Sequence, residues 1–188
     1  ALVGGSSLVF IGAFYALAHV RKGGSPANVL LLRPSGLWWW QYLLVAAVMI
    51  GVVIGSLNVI SIVTGASEAE FEVGIEYMKD LVSGSGWLNW LLIISVVVIA
   101  GPITEEIVFR GFLFTTLVKT PVGFIGAAAI SSVLWTVLHY QYNWQVLLAL
   151  FIFGVGLSYV VWRTGSLWPG IFAHSANNLA SALILLMR

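Results

Sequence analysis

The chain has 188 residues, of which 60% are hydrophobic and only 8% are charged, with a formal net charge of +1. Soluble domains carry about 25% charged residues, so this composition excludes a water-soluble fold and indicates a polytopic membrane protein. The balanced charge offers no basic stripe for nucleic acid. The absence of cysteine excludes disulfides and thiolate metal sites.

Apolar runs of the length that crosses a bilayer, about 20 residues, recur along the chain. The first run, 1–20, is favoured as a span over a signal peptide, because Arg21 and Lys22 follow the run rather than precede it. It opens on alanine, which indicates a native start further upstream or a processed one. Further spans are predicted at 38–62, 87–117, 122–139, 144–162 and 167–187.

These runs predict an all-α fold, a polytopic transmembrane helical bundle with about six spans in one domain over 1–188. The run 87–117 exceeds the length of one straight span, and Gly101-Pro102 inside it predicts a kinked or broken helix. Between the second and third spans, apolar residues recur at helical spacing opposite acidic ones. This pattern predicts an interfacial helix at 68–82, with an ordinary solvated loop helix as the alternative.

Basic residues predict the orientation of the bundle. With six spans, one side of the membrane receives Arg21, Lys22, Arg33, Lys119 and Arg163. The acidic segment 68–80 falls on the other side, together with Arg188. By the positive-inside rule the basic side is cytoplasmic.

Two adjacent carboxylates, Glu105 and Glu106, interrupt the third apolar run, whereas all other acidic residues lie within 68–80. Each ionised carboxylate costs roughly 2.5–3.5 kcal/mol at the centre of a spanning helix, so the pair requires a reason. Glu106 and Arg110 are four residues apart with the acid first, the favourable order for a helical ion pair. Glu105 is rotated from Glu106 by about 100° and needs another partner, for which His139 and His174 are the candidates.

The two histidines lie on different spans, and the second is four residues from Asn178, on the same helix face. Asn177 is the alternative amide. Polar residues of this kind often form only hydrogen bonds between helices, but a set spread over three spans favours a shared site. For His139 and His174 to meet, either the segment 164–170 dips into the protein before the last helix begins near Pro169, or the His139 helix is shifted inward. We predict the dip.

A carboxylate beside an imidazole can deprotonate water, and a second imidazole with a carboxamide can donate hydrogen bonds to an oxyanion. Together they suffice for amide hydrolysis without a covalent intermediate. A zinc ion held by Glu105, His139 and His174 is the competing interpretation, although the sequence contains no H-E-x-x-H motif. Covalent serine catalysis is disfavoured, because no serine or threonine stands in a nucleophile elbow.

Three ordered motifs carry a family resemblance: E-E-x-x-x-R at 105–110, aromatic-x-x-x-H at 135–139 and H-x-x-x-N at 174–178. They resemble the motifs of the CAAX prenyl endopeptidase type II family of intramembrane proteases, also called CPBP (CAAX proteases and bacteriocin-processing enzymes). The resemblance covers about 101–179, and the family-like catalytic core spans about 87–188. Trp135 stands where the family usually has phenylalanine, and we expect adjusted packing with little loss of chemistry.

The resemblance implies that Glu105 and His139 activate water and that His174 and Asn178 stabilise the oxyanion, with Glu106 and Arg110 in support. It implies that no cofactor is required, with a divalent metal such as zinc as the alternative. The expected partners are the lipid bilayer and a membrane-associated or lipidated peptide or protein. We expect a multi-pass protein of a bacterial or archaeal plasma membrane.

The alternative function is a non-catalytic membrane immunity or scaffold protein whose polar cluster holds helices together. A small transporter would also explain intramembrane ionisable residues, but the chain shows no repeated halves.

Overall fold

The computed structural model describes residues 30–66 and 86–187. Within these two ranges the chain forms five helices and no strand, which confirms the all-α prediction. The helices are α1 (Trp39–Thr64), α2 (87–117), α3 (Gly123–Val137), α4 (Trp144–Thr164) and α5 (Trp168–Met187). The predicted first span, 1–20, and the predicted interfacial helix, 68–82, lie outside the described residues.

In the described part of the chain, three helical stretches are long and apolar enough to cross a membrane: Trp39–Thr64, Trp90–Leu117 and Trp144–Thr164. The structure therefore supports a helical membrane protein but not the predicted count of six spans. The prediction fails most clearly at 122–139. There α3 has only 15 residues, about 22 Å at 1.5 Å per residue, against a hydrocarbon thickness of about 30 Å.

A kink or a break was predicted at Gly101-Pro102. Helix α2 is continuous there, so it is not broken. The irregularity is in the winding: the backbone is π-helical at Val96–Ala100 and again at Glu106–Phe114. The Gly101 N–H bonds to the carbonyl five residues back, that of Val96. If this five-residue spacing continued, the Val97 carbonyl would accept a hydrogen bond from the backbone N–H of residue 102. Residue 102 is proline, which has no backbone N–H.

The side chain of Asn178 replaces that missing donor. Its Nδ2 atom donates to the Val97 carbonyl oxygen at 2.9 Å, from α5 to α2. Proline is tolerated inside membrane helices when a neighbouring helix satisfies the freed backbone group in this way. The Asn178 amide therefore ties α5 to the π-helical segment of α2.

Replacing Asn178 with alanine should lower the free energy of unfolding by about 1–3 kcal/mol, because the Val97 carbonyl loses its donor. The same replacement should cost less in a Pro102→Ala background, since alanine at that position supplies a backbone N–H. Thermal unfolding in detergent micelles, arranged as a double-mutant cycle, measures the difference. Asn177→Ala is the matched control, and equal losses in the two backgrounds would contradict this account.

The apolar core surrounds the polar residues of the predicted site. Helix α4 packs against α1 and α3, and α5 packs against α1, α4 and the first π-helical segment of α2. The central cluster draws on several helices through Met49, Phe109, Trp135, Phe153 and Ala173. Of the polar residues of the predicted site, Glu106, Arg110 and His174 are thus enclosed by protein, as burial of such groups in a membrane requires.

The loop between α4 and α5 is buried against the segment that precedes α1. Gly165, at φ +62°, ends α4, and the Leu167 N–H then donates to the Leu31 carbonyl at 2.9 Å. Arg33 completes the contact, because its Nε donates to the Gly165 carbonyl and its own carbonyl accepts from Ser166 Oγ. Ser166 and Leu167 are fully buried, as the predicted dip of 164–170 requires, whereas Trp168 is exposed.

Candidate active site

The predicted ion pair between Glu106 and Arg110 forms in the centre of the bundle. Arg110 Nη1 donates to Glu106 Oε1 at 2.9 Å, and both side chains are 0% exposed. Arg110 Nη2 also donates to the carbonyl of Gly154 on α4 at 3.2 Å, and its Cζ lies 4.7 Å from the centre of the Trp135 ring. The buried guanidinium is therefore stabilised by a carboxylate, a carbonyl and an aromatic face.

Gly154 is the residue that permits this approach. A Cβ atom at this position would lie 2.9 Å from both Arg110 Nη2 and Ser132 Oγ, which is closer than non-bonded atoms tolerate. Any larger residue would push the guanidinium away from α4.

His174 links the two glutamates. Its Nδ1 lies 3.1 Å from Glu106 Oε1, and its Nε2 lies 3.7 Å from Glu105 Oε2. An ionised carboxylate only accepts hydrogen bonds. The His174 Nδ1 atom therefore carries a proton and donates a hydrogen bond to Glu106. The second ring nitrogen then faces Glu105. Of the two histidines considered as partners for Glu105, the structure places His174 beside it.

The two neighbouring carboxylates differ sharply in access. The Glu105 side chain is 29% exposed, whereas that of Glu106 is completely buried. Glu105 Oε2 accepts a hydrogen bond from Trp135 Nε1 at 2.6 Å. Of the two adjacent carboxylates, Glu105 is therefore the accessible one and Glu106 the enclosed one.

His139 lies in the turn that follows α3, beyond the helix that it was predicted to close. Its Nδ1 is 3.1 Å from the Trp135 carbonyl oxygen, and its ring stacks on Tyr142 at 6.1 Å. The Trp135 ring centre lies 4.9 Å from that of His139 and 5.4 Å from that of His174. Both imidazoles therefore contact the same indole, which connects His139 to the cluster.

The zinc interpretation finds no support in this geometry. Among the residues that the structure describes, no group of three or more histidine and acidic side chains is arranged to hold a metal ion. To bind zinc, three side chains would have to converge on one point, those of Glu105, His139 and His174. Instead, His139 is directed towards Trp135 and Tyr142, and His174 is held between the two carboxylates.

The sequence interpretation missed the hydrogen-bonding role of Trp135. It treated this position as an aromatic ring that packs, whereas the indole N–H bonds to Glu105. A signal was present, because a buried tryptophan usually finds a partner for its N–H and Glu105 still lacked a certain partner.

Comparison with known families decides the class of the protein. A family model described as type II CAAX prenyl endopeptidase Rce1-like matches residues 87–180, half of the chain. The chain belongs to this family. It is therefore a CAAX type II intramembrane protease, a hydrolase that resides in a membrane, and the resemblance drawn from the three motifs is confirmed.

The match to the Rce1-like family spans α2, α3, α4 and most of α5. It contains every residue predicted for the site: Glu105, Glu106, Arg110, Trp135, His139, His174 and Asn178. No curated protein and no solved structure matches the chain.

Proposed function

We propose that this Rce1-like protein hydrolyses a peptide bond of a membrane-associated substrate, with Glu105 as the base that activates the attacking water. The observation that supports this proposal is the partial exposure of Glu105, whose side chain is 29% exposed, whereas that of the adjacent Glu106 is fully buried. Its neighbours, Trp135 and His174, are buried and hold one side of the carboxylate. An accessible carboxylate on a rigid support is what general-base catalysis requires.

In this mechanism the carboxylate takes a proton from water, and the resulting hydroxide attacks the substrate carbonyl carbon. Glu105 Oε2 is already engaged by the indole, so Oε1 receives the proton and later transfers it to the leaving nitrogen. His139, in the turn after α3, is the second group that orients the water. The chemistry breaks one C–N bond and consumes one water molecule, without a covalent intermediate.

The proposed oxyanion site is formed by His174 and Asn178. Asn178 uses one amide hydrogen for the Val97 carbonyl, and the second amide hydrogen donates to the oxyanion. His174 donates from Nε2, the ring nitrogen that is not directed at Glu106. Such preorganised donors stabilise the charge that develops on the carbonyl oxygen in the transition state.

The alternative, a non-catalytic immunity or scaffold protein, is explained less well by the same contacts. Glu106, Arg110 and His174 are buried and connect α2 to α4 and α5, as a structural lock would. A lock explains the hydrogen bond from Trp135 on α3 to Glu105 on α2, but it does not require that the Glu105 side chain be 29% exposed. We therefore assign Glu106 and Arg110 to support and Glu105 to chemistry. His174 lies between the two carboxylates.

The substrate that we propose is a membrane-associated or lipidated peptide or protein, with no commitment to a prenyl group. We further propose that the catalytic core, 87–188, functions within one integral membrane domain. A bacterial or archaeal plasma membrane remains our prediction for its location.

The proposal is tested by hydrolysis of membrane-anchored, internally quenched peptides by the purified protein in lipid vesicles. The anchors to compare are a prenyl chain, an acyl chain and a transmembrane segment, each with and without a metal chelator. We expect cleavage of at least one peptide that chelation leaves unchanged. Folded protein that cleaves none of them would overturn the enzymatic proposal. Activity that is lost on chelation and restored by zinc would overturn the metal-independent mechanism.

A further inference from the structure

We propose that Trp135 is a positioning residue, whose indole N–H holds the Glu105 carboxylate in the orientation that the reaction needs. This inference rests on the proposed function of Glu105. The contact between Trp135 Nε1 and Glu105 Oε2 is 2.6 Å long. Hydrogen bonds to an ionised acceptor are shorter than those between neutral groups, so this distance fits an indole N–H that donates to a carboxylate.

The indole is itself held on several sides. Trp135 is 1% exposed, and the Arg110 guanidinium lies over its ring at 4.7 Å. The His174 ring meets it edge-on at 5.4 Å, and the Phe153 ring lies 6.2 Å away. A planar side chain with two rotatable bonds, enclosed by α2, α4 and α5, presents its N–H in one fixed direction.

The carboxylate gains an orientation that its own helix does not provide. A glutamate has three side-chain torsions, and a partly exposed one samples several rotamers. Fixing Oε2 against the indole leaves Oε1 as the oxygen available to water. Errors of about 1 Å in such positioning can reduce rates by about 100-fold.

From the sequence we expected that tryptophan in place of phenylalanine at position 135 would adjust the packing with little effect on the chemistry. The indole N–H changes this expectation. A phenylalanine at position 135 would fill similar space, and the packing would be retained. It has no N–H, however, and could not donate to Glu105. Tryptophan at this position therefore adds a hydrogen bond, rather than only a different ring.

The first test is Trp135→Phe, which removes the donor and keeps an aromatic ring in the core. We expect kcat to fall about 10- to 100-fold with KM unchanged, because the buried Trp135 does not touch the substrate. A parental kcat in a folded Trp135→Phe protein would overturn the inference. If the parent protein itself is inactive, the proposed function fails instead.

A second measurement reads the hydrogen bond without reference to activity. In protein labelled with ¹⁵N at the indole nitrogens, the Trp135 Nε1–H resonance, identified by its loss in Trp135→Phe, should lie far downfield. It should move upfield in Glu105→Ala. The Trp168 indole, which is directed at the Leu32 carbonyl at 3.4 Å, is the internal control and should not move. An unchanged Trp135 resonance in Glu105→Ala would overturn the inference, whatever the activity of the parent.

Discussion

Replacing Glu105 with glutamine should reduce kcat for peptide hydrolysis by about 10²–10⁴-fold, the usual contribution of a general base, while the protein stays folded. Glutamine has the same shape, and its carbonyl oxygen can still accept the hydrogen bond from Trp135 Nε1. The carboxylate is partly exposed, so its loss leaves no buried charge unpaired. Cleavage of a membrane-anchored peptide measures kcat, and thermal unfolding of the same preparation measures stability.

Glu106→Gln is the matched control, since it makes the same chemical change one residue along the chain. Its carboxylate is fully buried and bonds to both Arg110 and His174, so we expect a lower unfolding temperature as its main effect. The two variants thus separate a catalytic carboxylate from a structural one. If Glu105→Gln instead lost stability and Glu106→Gln did not, the roles assigned to the two residues would be reversed.

Replacing Arg110 with methionine should lower the free energy of unfolding by about 3–5 kcal/mol, because it leaves the buried Glu106 carboxylate without its cation. Methionine fills much of the same space, so the effect reports the lost charge more than a cavity. The Gly154 carbonyl loses a donor as well. Equilibrium unfolding in mixed micelles, followed by circular dichroism, measures the change.

Arg163→Met is the control, because Arg163 is exposed at the end of α4 and its replacement should change stability little. Adding Glu106→Gln to Arg110→Met should recover part of the loss, since it removes the unpaired charge. Similar stabilities for Arg110→Met and Arg163→Met would show that the buried pair does not support the fold.

Helical periodicity and charge spacing predicted much of the site. The five described helices lie close to the apolar runs read from the sequence, because about 20 apolar residues in lipid have few alternatives to a helix. The pair of Glu106 and Arg110 followed from a four-residue spacing, which brings side chains together on any regular helix. Burial of 164–170 followed from the need to bring His174 to the other motifs.

Features that depend on contacts between helices could not be read from the sequence. The donor from Trp135 to Glu105 joins residues 30 apart, and that from Asn178 to Val97 joins residues 81 apart. No local pattern reports such distances. The exposure of Glu105 relative to Glu106 also depends on what α3, α4 and α5 cover, and the length of α3 was overestimated because its apolar run continues into the following turn.

The π-helical winding at Val96–Ala100 has a consequence for the two acids that follow it. A π turn holds more residues than an α turn, so it changes the rotational phase of every later side chain on α2. A shift of one residue turns a side chain by about 100°, which is the angle between Glu105 and Glu106. Which of two identical neighbours is exposed and which is buried therefore depends on the number of residues wound into the preceding turn.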